Sequence, residues 1–316
     1  MKKILIIGAC GQIGSELTPA LRKIYGNDNV VAADYLYPFE GELAEGGPNC
    51  KIDATKIEDV ANAVKKYQID AIYNLAAILS AKAEANPMLG WDVGVGAVLN
   101  CLEVAREYHC QLFTPSSIGA FGTGTPPDNT PQDTIQRPKT IYGVTKVTGE
   151  LLSDYYFKRF GVDTRSVRYP GLISNVTLPG GGTTDYAVDI YYSAIRDGKF
   201  TCPLKSGTFM DMMYMPDALN AAINIMEADP NKLIHRNSFN VTAMSFDPEM
   251  IAAEIKKHIP DFTMDYQIDE LRQGIADSWP NSMDDSCARA EWGWKPDYSL
   301  AAMTEDMLRV LRGKLG

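Results

Sequence analysis

The stretch KILIIGACGQIG, residues 3–14, decides the fold. Lys3 to Ile7 reads as a short, fully apolar strand, and Ile13, Leu17, Leu21 and Ile24 then recur at helical spacing. Strand, glycine loop and helix follow one another without spare residues. Gly8, Gly11 and Gly14 stand three apart. In such a loop the first glycine permits a tight turn and the second lets backbone approach a pyrophosphate. The third lets helix pack on strand, with the helix N-terminus facing the anion. A purely structural turn uses the same glycines, so the surroundings must decide.

The next strand, Asn29 to Ala33, ends at Asp34, about twenty residues past the last glycine, where a carboxylate accepts the adenosine ribose hydroxyls. A 2'-phosphate would be repelled there and no Arg follows at once, so the cofactor read from these residues is NAD rather than NADP. The alternation continues with strand Cys50 to Ile52 ending in Asp53, helix Ile57 to Tyr67 and strand Ala71 to Leu75. A helix from Val98 to Tyr108 and strand Gln111 to Pro115 follow. Apolar strands alternating with helices indicate a parallel sheet covered on both faces, a doubly wound α/β (Rossmann) domain.

With 316 residues the chain is long enough for this domain and a smaller annex. Apolar residues make up 45% and charged residues 22%, ordinary for a globular protein. The net charge of -10 without a basic cluster argues against nucleic acid or an anionic membrane as partner. Cys10, Cys50, Cys101, Cys110, Cys202 and Cys287 are scattered, with no CxxC pair, so the expectation is reduced thiols and no metal. The opening apolar run is too short for a signal segment or a membrane span, which points to a cytoplasmic protein. Of the three histidines, His109, His235 and His258, none sits in a recognisable constellation, so the base is sought elsewhere.

Tyr142 and Lys146, in TIYGVTK, are four apart and share one face of a helix, so an ammonium can lie near a phenol. A tyrosine acting as base near neutrality needs its pKa lowered by roughly two to three units. Lys146 and an oxidised nicotinamide ring both carry charge of the required sign. PSSIGAFG, at the end of the preceding strand, points Ser116 and Ser117 toward the crevice of the glycine loop.

GACGQIG, NLAA at Asn74, PSSIGAFG and YGVTK, in that order, resemble the extended short-chain dehydrogenase/reductase family. FMDMMYMPDAL, with Asp211 and Asp217, and DSCARAEWGWKP near Asp285 extend the resemblance over almost the whole chain. The resemblance implies Ser117, Tyr142 and Lys146 as catalytic residues. Ser117 would polarise the reacting oxygen, Tyr142 act as acid/base, and Lys146 bind the nicotinamide ribose. For NAD it implies Gly8, Gly11, Gln12, Ile13 and Gly14 at the pyrophosphate, Asp34 at the ribose and Asp53 at the adenine amine. Ala54, Leu75, Ala76, Ala77 and Tyr169 would also line the cofactor. Leu75 departs from the family, where histidine is frequent.

The family's common members act on nucleotide sugars, so an NAD-retaining epimerase or dehydratase is one expectation. A redox-sensing NAD-binding regulator is another, though it would not need a positioned base. GGGTTDYA (residues 180–187) favours a third. Gly180, Gly181 and Gly182 lead into a helical pattern through Thr183, Thr184 and Asp185, which either cap the helix or bind a small ligand. Amides and hydroxyls at a helix N-terminus suit a carboxylate, and Asp185 suits an ammonium. With AAILSAKAE and WPNSMDD, this stretch is similar to the threonine-oxidising members of the family. The resemblance implies L-threonine as substrate, oxidised to 2-amino-3-oxobutanoate, with Ser80, Ser116, Ser117, Tyr142, Gly182, Thr183, Thr184, Asp185 and Trp279 around it. It further implies a homodimer. Residues 1–171 and 209–243 are expected to form the NAD-binding domain, and 172–208 and 244–316 a smaller, discontinuous α+β substrate-binding cap.

Overall fold

The computed structural model describes residues 2–178, 180 and 182–315. The first seven strands are β1 (Ile4–Ile7), β2 (Val30–Asp34), β3 (Asn49–Lys51), β4 (Ala71–Asn74), β5 (Gln111–Phe113), β6 (Ser116–Ser117) and β7 (Thr164–Arg165). All but β6 form one parallel sheet in the order β3-β2-β1-β4-β5-β7. This is the doubly wound order, and its direction reverses between β1 and β4, which opens a crevice beyond their carboxyl ends.

The alternation along β1 explains why the sheet is covered twice. Ile4 and Ile6 enter one core with Leu17 and Leu21 of helix Gly14–Tyr25, while Leu5 and Ile7 enter another with Val60, Val98 and Leu102. Each of these four β1 side chains is essentially buried, contributing about 1.5–3 kcal/mol. The helical run Pro87–Tyr108 is long and apolar enough to cross a membrane by length and composition. Here Ala97, Val98, Cys101 and Leu102 spend that apolar character on the core.

Two glycines fix how the chain leaves β1. Gly8 has φ +88°, and its N–H, like that of Ala9, donates to the Ala33 carbonyl, at 2.9 and 3.0 Å. A Cβ on Gly14 would lie 2.2 Å from the Gly8 carbonyl oxygen, so only glycine lets the helix begin this close to the strand.

The remaining strands are β8 (Val167–Tyr169), β9 (Gly171–Ile173), β10 (Lys199–Cys202), β11 (Met210–Tyr214), β12 (Phe239–Asn240), β13 (Met244–Phe246) and β14 (Thr263–Tyr266). The run from Thr164 to Arg168 breaks at Ser166, so β7 stays with the main sheet while β8 pairs with β6 and β12. β9, β11 and β13 form a mixed sheet, and β10 pairs with β14. A third core gathers helices Tyr186–Asp197, Pro248–Lys256 and Leu300–Leu315. β11 serves two cores at once: Met210, Met212 and Tyr214 face this third one, and Met213 faces that of helix Gly14–Tyr25.

Candidate active site

A cleft of about 500 Å³ opens at the sheet's switch point. Gly8, Gly11, Gln12, Ile13 and Gly14 form one wall and Leu75, Ala77 and Ser80 another. Ser116, Ser117, Tyr142, Lys146 and Tyr169 line its floor side, and Gly182, Thr183, Thr184, Asp185 and Trp279 close the far end. Segments more than one hundred residues apart in sequence thus meet where strand ends and helix starts converge.

Helix Ile141–Phe160 carries Tyr142 and Lys146 and is capped by Thr140, whose hydroxyl accepts the Gly143 N–H at 3.0 Å. The Lys146 ammonium donates to the Pro115 carbonyl at 2.8 Å and lies 5.4 Å from the Tyr142 ring centroid. Gly119 sits between tyrosine and serine. A Cβ there would be 3.2 Å from the Tyr142 ring and 3.4 Å from Ser117 Oγ, so the two side chains come together at Gly119. Ser117 Oγ accepts the Gly119 N–H at 3.1 Å, which leaves its own proton available to a ligand oxygen.

Ser116 lines the cleft, while its hydroxyl donates to the Glu150 carboxylate, which in turn pairs with Arg168. Tyr169 lines the cleft as well, with its hydroxyl donating to the Ala218 carbonyl at 2.6 Å and burial pushing its pKa up. It offers the cleft a wall rather than a polar group.

On the nucleotide side, the Asp34 carboxylate ends β2 and accepts the N–H groups of Cys10 and Leu36, both at 2.9 Å. Asp34, Asp53, Ala54 and Ala76 do not line the cleft itself. Asp53 follows β3, one strand further out. Its carboxyl is held below the usual range by the Thr55 hydroxyl, with the Lys56 ammonium 3.6 Å away. Ala76 instead borders a small cavity of about 20 Å³ behind Tyr142 and Lys146. A dinucleotide fits the loop at Gly8 to Gly14: the cradle stays open because side chains are missing where backbones nearly touch.

At the far end, Thr183–Asp185 is a single tight turn before helix Tyr186–Asp197. Asp185 Oδ2 accepts the Gly182 N–H at 2.6 Å, so its capping role is to the turn rather than to the long helix. Thr183 is buried and its hydroxyl oxygen has no hydrogen-bond partner among the described residues. A buried polar atom without a partner costs about 1–3 kcal/mol, which a ligand would recover. Gly181 lies outside the described residues. Trp279 lines the cleft and also packs on Ile118, Phe121 and Met283.

The sequence reading missed Lys82, which together with Lys146 supplies the positive charge among the described lining residues. The signal was present, since Lys82 lies two residues past Ser80 in a short helix, Ser80–Ala85. It also missed Gly171 and Leu172 of β9, whose place at the cleft depends on pairing with β11.

The model of the NAD dependent epimerase/dehydratase family matches residues 4–241. An uncharacterized epimerase/dehydratase of Staphylococcus saprophyticus is 57% identical over 314 residues, 99% of this chain and 98% of the relative. The structure of L-threonine dehydrogenase from Clostridium difficile is 55% identical with a TM-score of 0.98, covering 99% of this chain and 98% of that one. A monomeric L-threonine 3-dehydrogenase from a metagenome database is 44% identical, with a TM-score of 0.94 over 99% and 100% of the two chains. The homodimer expected from resemblance finds no support in that monomeric relative. Both the glycine loop and the tyrosine helix fall inside the matched span; NAD is the cofactor, and this chain is an enzyme belonging to the NAD dependent epimerase/dehydratase family.

Proposed function

We propose that this enzyme oxidises L-threonine at its hydroxyl-bearing carbon, giving 2-amino-3-oxobutanoate. Bound NAD+ supplies the hydride acceptor. Gly11, Gln12 and Ile13 hold its pyrophosphate, Asp34 its adenosine ribose, and Lys146 its nicotinamide ribose. The single observation that carries the substrate reading is the buried Thr183 hydroxyl in the cleft, which has no hydrogen-bond partner among the described residues.

In this reading Ser117 donates a hydrogen bond to the substrate hydroxyl oxygen while Tyr142 takes the hydroxyl proton, and the hydride of the same carbon would pass to NAD+. The Lys146 ammonium, 5.4 Å from the Tyr142 ring centroid, places a positive charge beside that base. Thr183 and Thr184 take the substrate carboxylate at the start of helix Tyr186–Asp197, where the helix dipole favours negative charge. Asp185 pairs with the ammonium, since a carboxylate accepts from more than one donor. Ser80 helps hold the substrate, and Trp279 shields it from water. The same proposal assigns residues 172–208 and 244–316 to a substrate cap over the nucleotide domain, with β11 packed against the cores of both.

Purified protein given NAD+ and L-threonine should develop NADH absorbance. Silence with threonine, together with turnover of a UDP- or dTDP-sugar, would remove the threonine reading and leave the family assignment intact.

A further inference from the structure

The loop at His235 and helix Ser286–Trp292 bring three metal-ligating side chains together outside the cleft. The ligand atoms of His235, Cys287 and Glu291 all lie within 4.8 Å of one another. The Glu291 side chain is 7% exposed and organises the group. Its Oε2 accepts the backbone N–H groups of Ile234 and His235, at 2.6 and 3.0 Å. Its Oε1 is hydrogen-bonded to His235 Nδ1. The ring is therefore fixed with Nε2 turned outward, stacked edge-on against Phe239 at 5.9 Å. Around Nε2 stand the Cys287 sulfur at 4.0 Å and the Asp133 carboxylate at 3.5 Å.

We propose that His235 Nε2, Cys287 Sγ and Asp133 bind a divalent zinc-type cation, with Glu291 as the carboxylate that orients the histidine. Imidazole N–H to carboxylate is the usual support of a metal-bound histidine, because it sets the tautomer and raises basicity at the other nitrogen. In a tetrahedral zinc site, bond lengths of about 2.0 Å to nitrogen and 2.3 Å to sulfur place the two ligand atoms about 3.5 Å apart. The present nitrogen–sulfur separation needs to close by about half an ångström, within reach of a half-exposed cysteine rotamer. A nitrogen, thiolate and carboxylate set selects zinc or cobalt over magnesium or calcium, which take oxygen ligands. Three protein ligands leave the fourth position to water on the exposed side. None of the ligands lines the cleft, so the ion has no part in hydride transfer. It ties the segment at Asp133 and the loop at His235 to helix Ser286–Trp292, adding to the hydrogen bonds by which Glu291 already holds Ile234 and His235.

The test uses the full-length protein, stripped with a chelator and titrated with Co2+ alone. The expected result is one equivalent bound with a thiolate-to-cobalt charge-transfer band, reversed by Zn2+, and a rise in thermal midpoint. Cys287→Ser should abolish the band, and Glu291→Gln should weaken binding about 10–100-fold. The Asp133 side chain is 88% exposed, so Asp133→Asn keeps the fold and should weaken binding as well. Absence of stoichiometric binding, a band that survives Cys287→Ser, or unchanged affinity in Asp133→Asn would overturn the assignment. None of these outcomes depends on activity with threonine.

Discussion

The Arg168 guanidinium grips the Glu150 carboxylate by two parallel bonds, Nε to Oε1 at 2.9 Å and Nη2 to Oε2 at 2.8 Å, directly behind Ser116. Both side chains are buried, and Arg168 also donates to the Gln132 carbonyl and to Asn240. Removing one member leaves an uncompensated buried charge. Glu150→Ala should therefore cost about 3–5 kcal/mol in urea unfolding, whereas replacing both by apolar residues of similar volume should cost much less. A double variant as unstable as the single one would show that the pair is not what Arg168 requires.

Tyr142→Phe keeps the ring that packs on Gly119 and deletes the acid/base. Turnover should fall about 10²–10⁴-fold with NAD affinity almost unchanged by calorimetry. Wild-type turnover in this variant would take Tyr142 out of the mechanism.

Asp185 has two assigned roles that substitution can separate. Asp185→Asn retains an oxygen for the Gly182 N–H but loses the charge, and Asp185→Ala loses both. If the ammonium pairs with Asp185, both variants should raise the KM for threonine at least about tenfold, the equivalent of a charge-assisted bond of about 1.5–3 kcal/mol. An asparagine variant with native KM and an impaired alanine variant would reduce the residue to a turn cap. Thr183→Val should likewise raise KM while leaving the ligand-free protein at least as stable as native, since it removes a buried hydroxyl that has no partner among the described residues.

Asp211 sets a pH dependence of stability. Burial pushes its carboxyl up to about 8, against the opposing pull of hydrogen bonds from Thr242 and the Met283 N–H. Below pH ~4 folded and unfolded chains both hold the proton; between about 4 and 8 the unfolded chain releases it and the folded chain does not. This residue therefore lowers stability as pH rises through that window, by at most about 1.4 kcal/mol per pH unit, and its contribution levels off above about 8. Asp211→Asn should flatten that slope in denaturation measured at pH 5 and pH 8. An unaltered slope would assign it to other groups.

The main sheet was legible because its strands are short, apolar runs separated by regular helices, which resolved the two readings open for the turn at Gly8, Gly11 and Gly14. What the sequence hid depends on partners far along the chain. Ser116 and Ser117 are identical in type and adjacent, and only the distant pair of Glu150 and Arg168 claims the first. The break at Ser166 is invisible, since Thr164 to Arg168 has no glycine or proline to announce that two sheets divide it. Asp217 and Asp285, noted as family markers, hold the backbone and other side chains rather than a ligand. Asp217 accepts the N–H groups of Asp297 and Tyr298, and Asp285 pairs with Arg289 and Trp294. The convergence of Asp133, His235 and Cys287 leaves no trace in spacing at all.

Strand β11 has a mechanical consequence. Met212 and Met213 are neighbours in sequence and plug into different cores, so the strand cannot slide toward one without withdrawing a side chain from the other. The two cores are keyed together like cogs on a common axle. Any narrowing of the cleft around a ligand must pivot in the connections flanking β11, and the amplitude of that pivot is limited by what those connections, not the packed interior, can absorb.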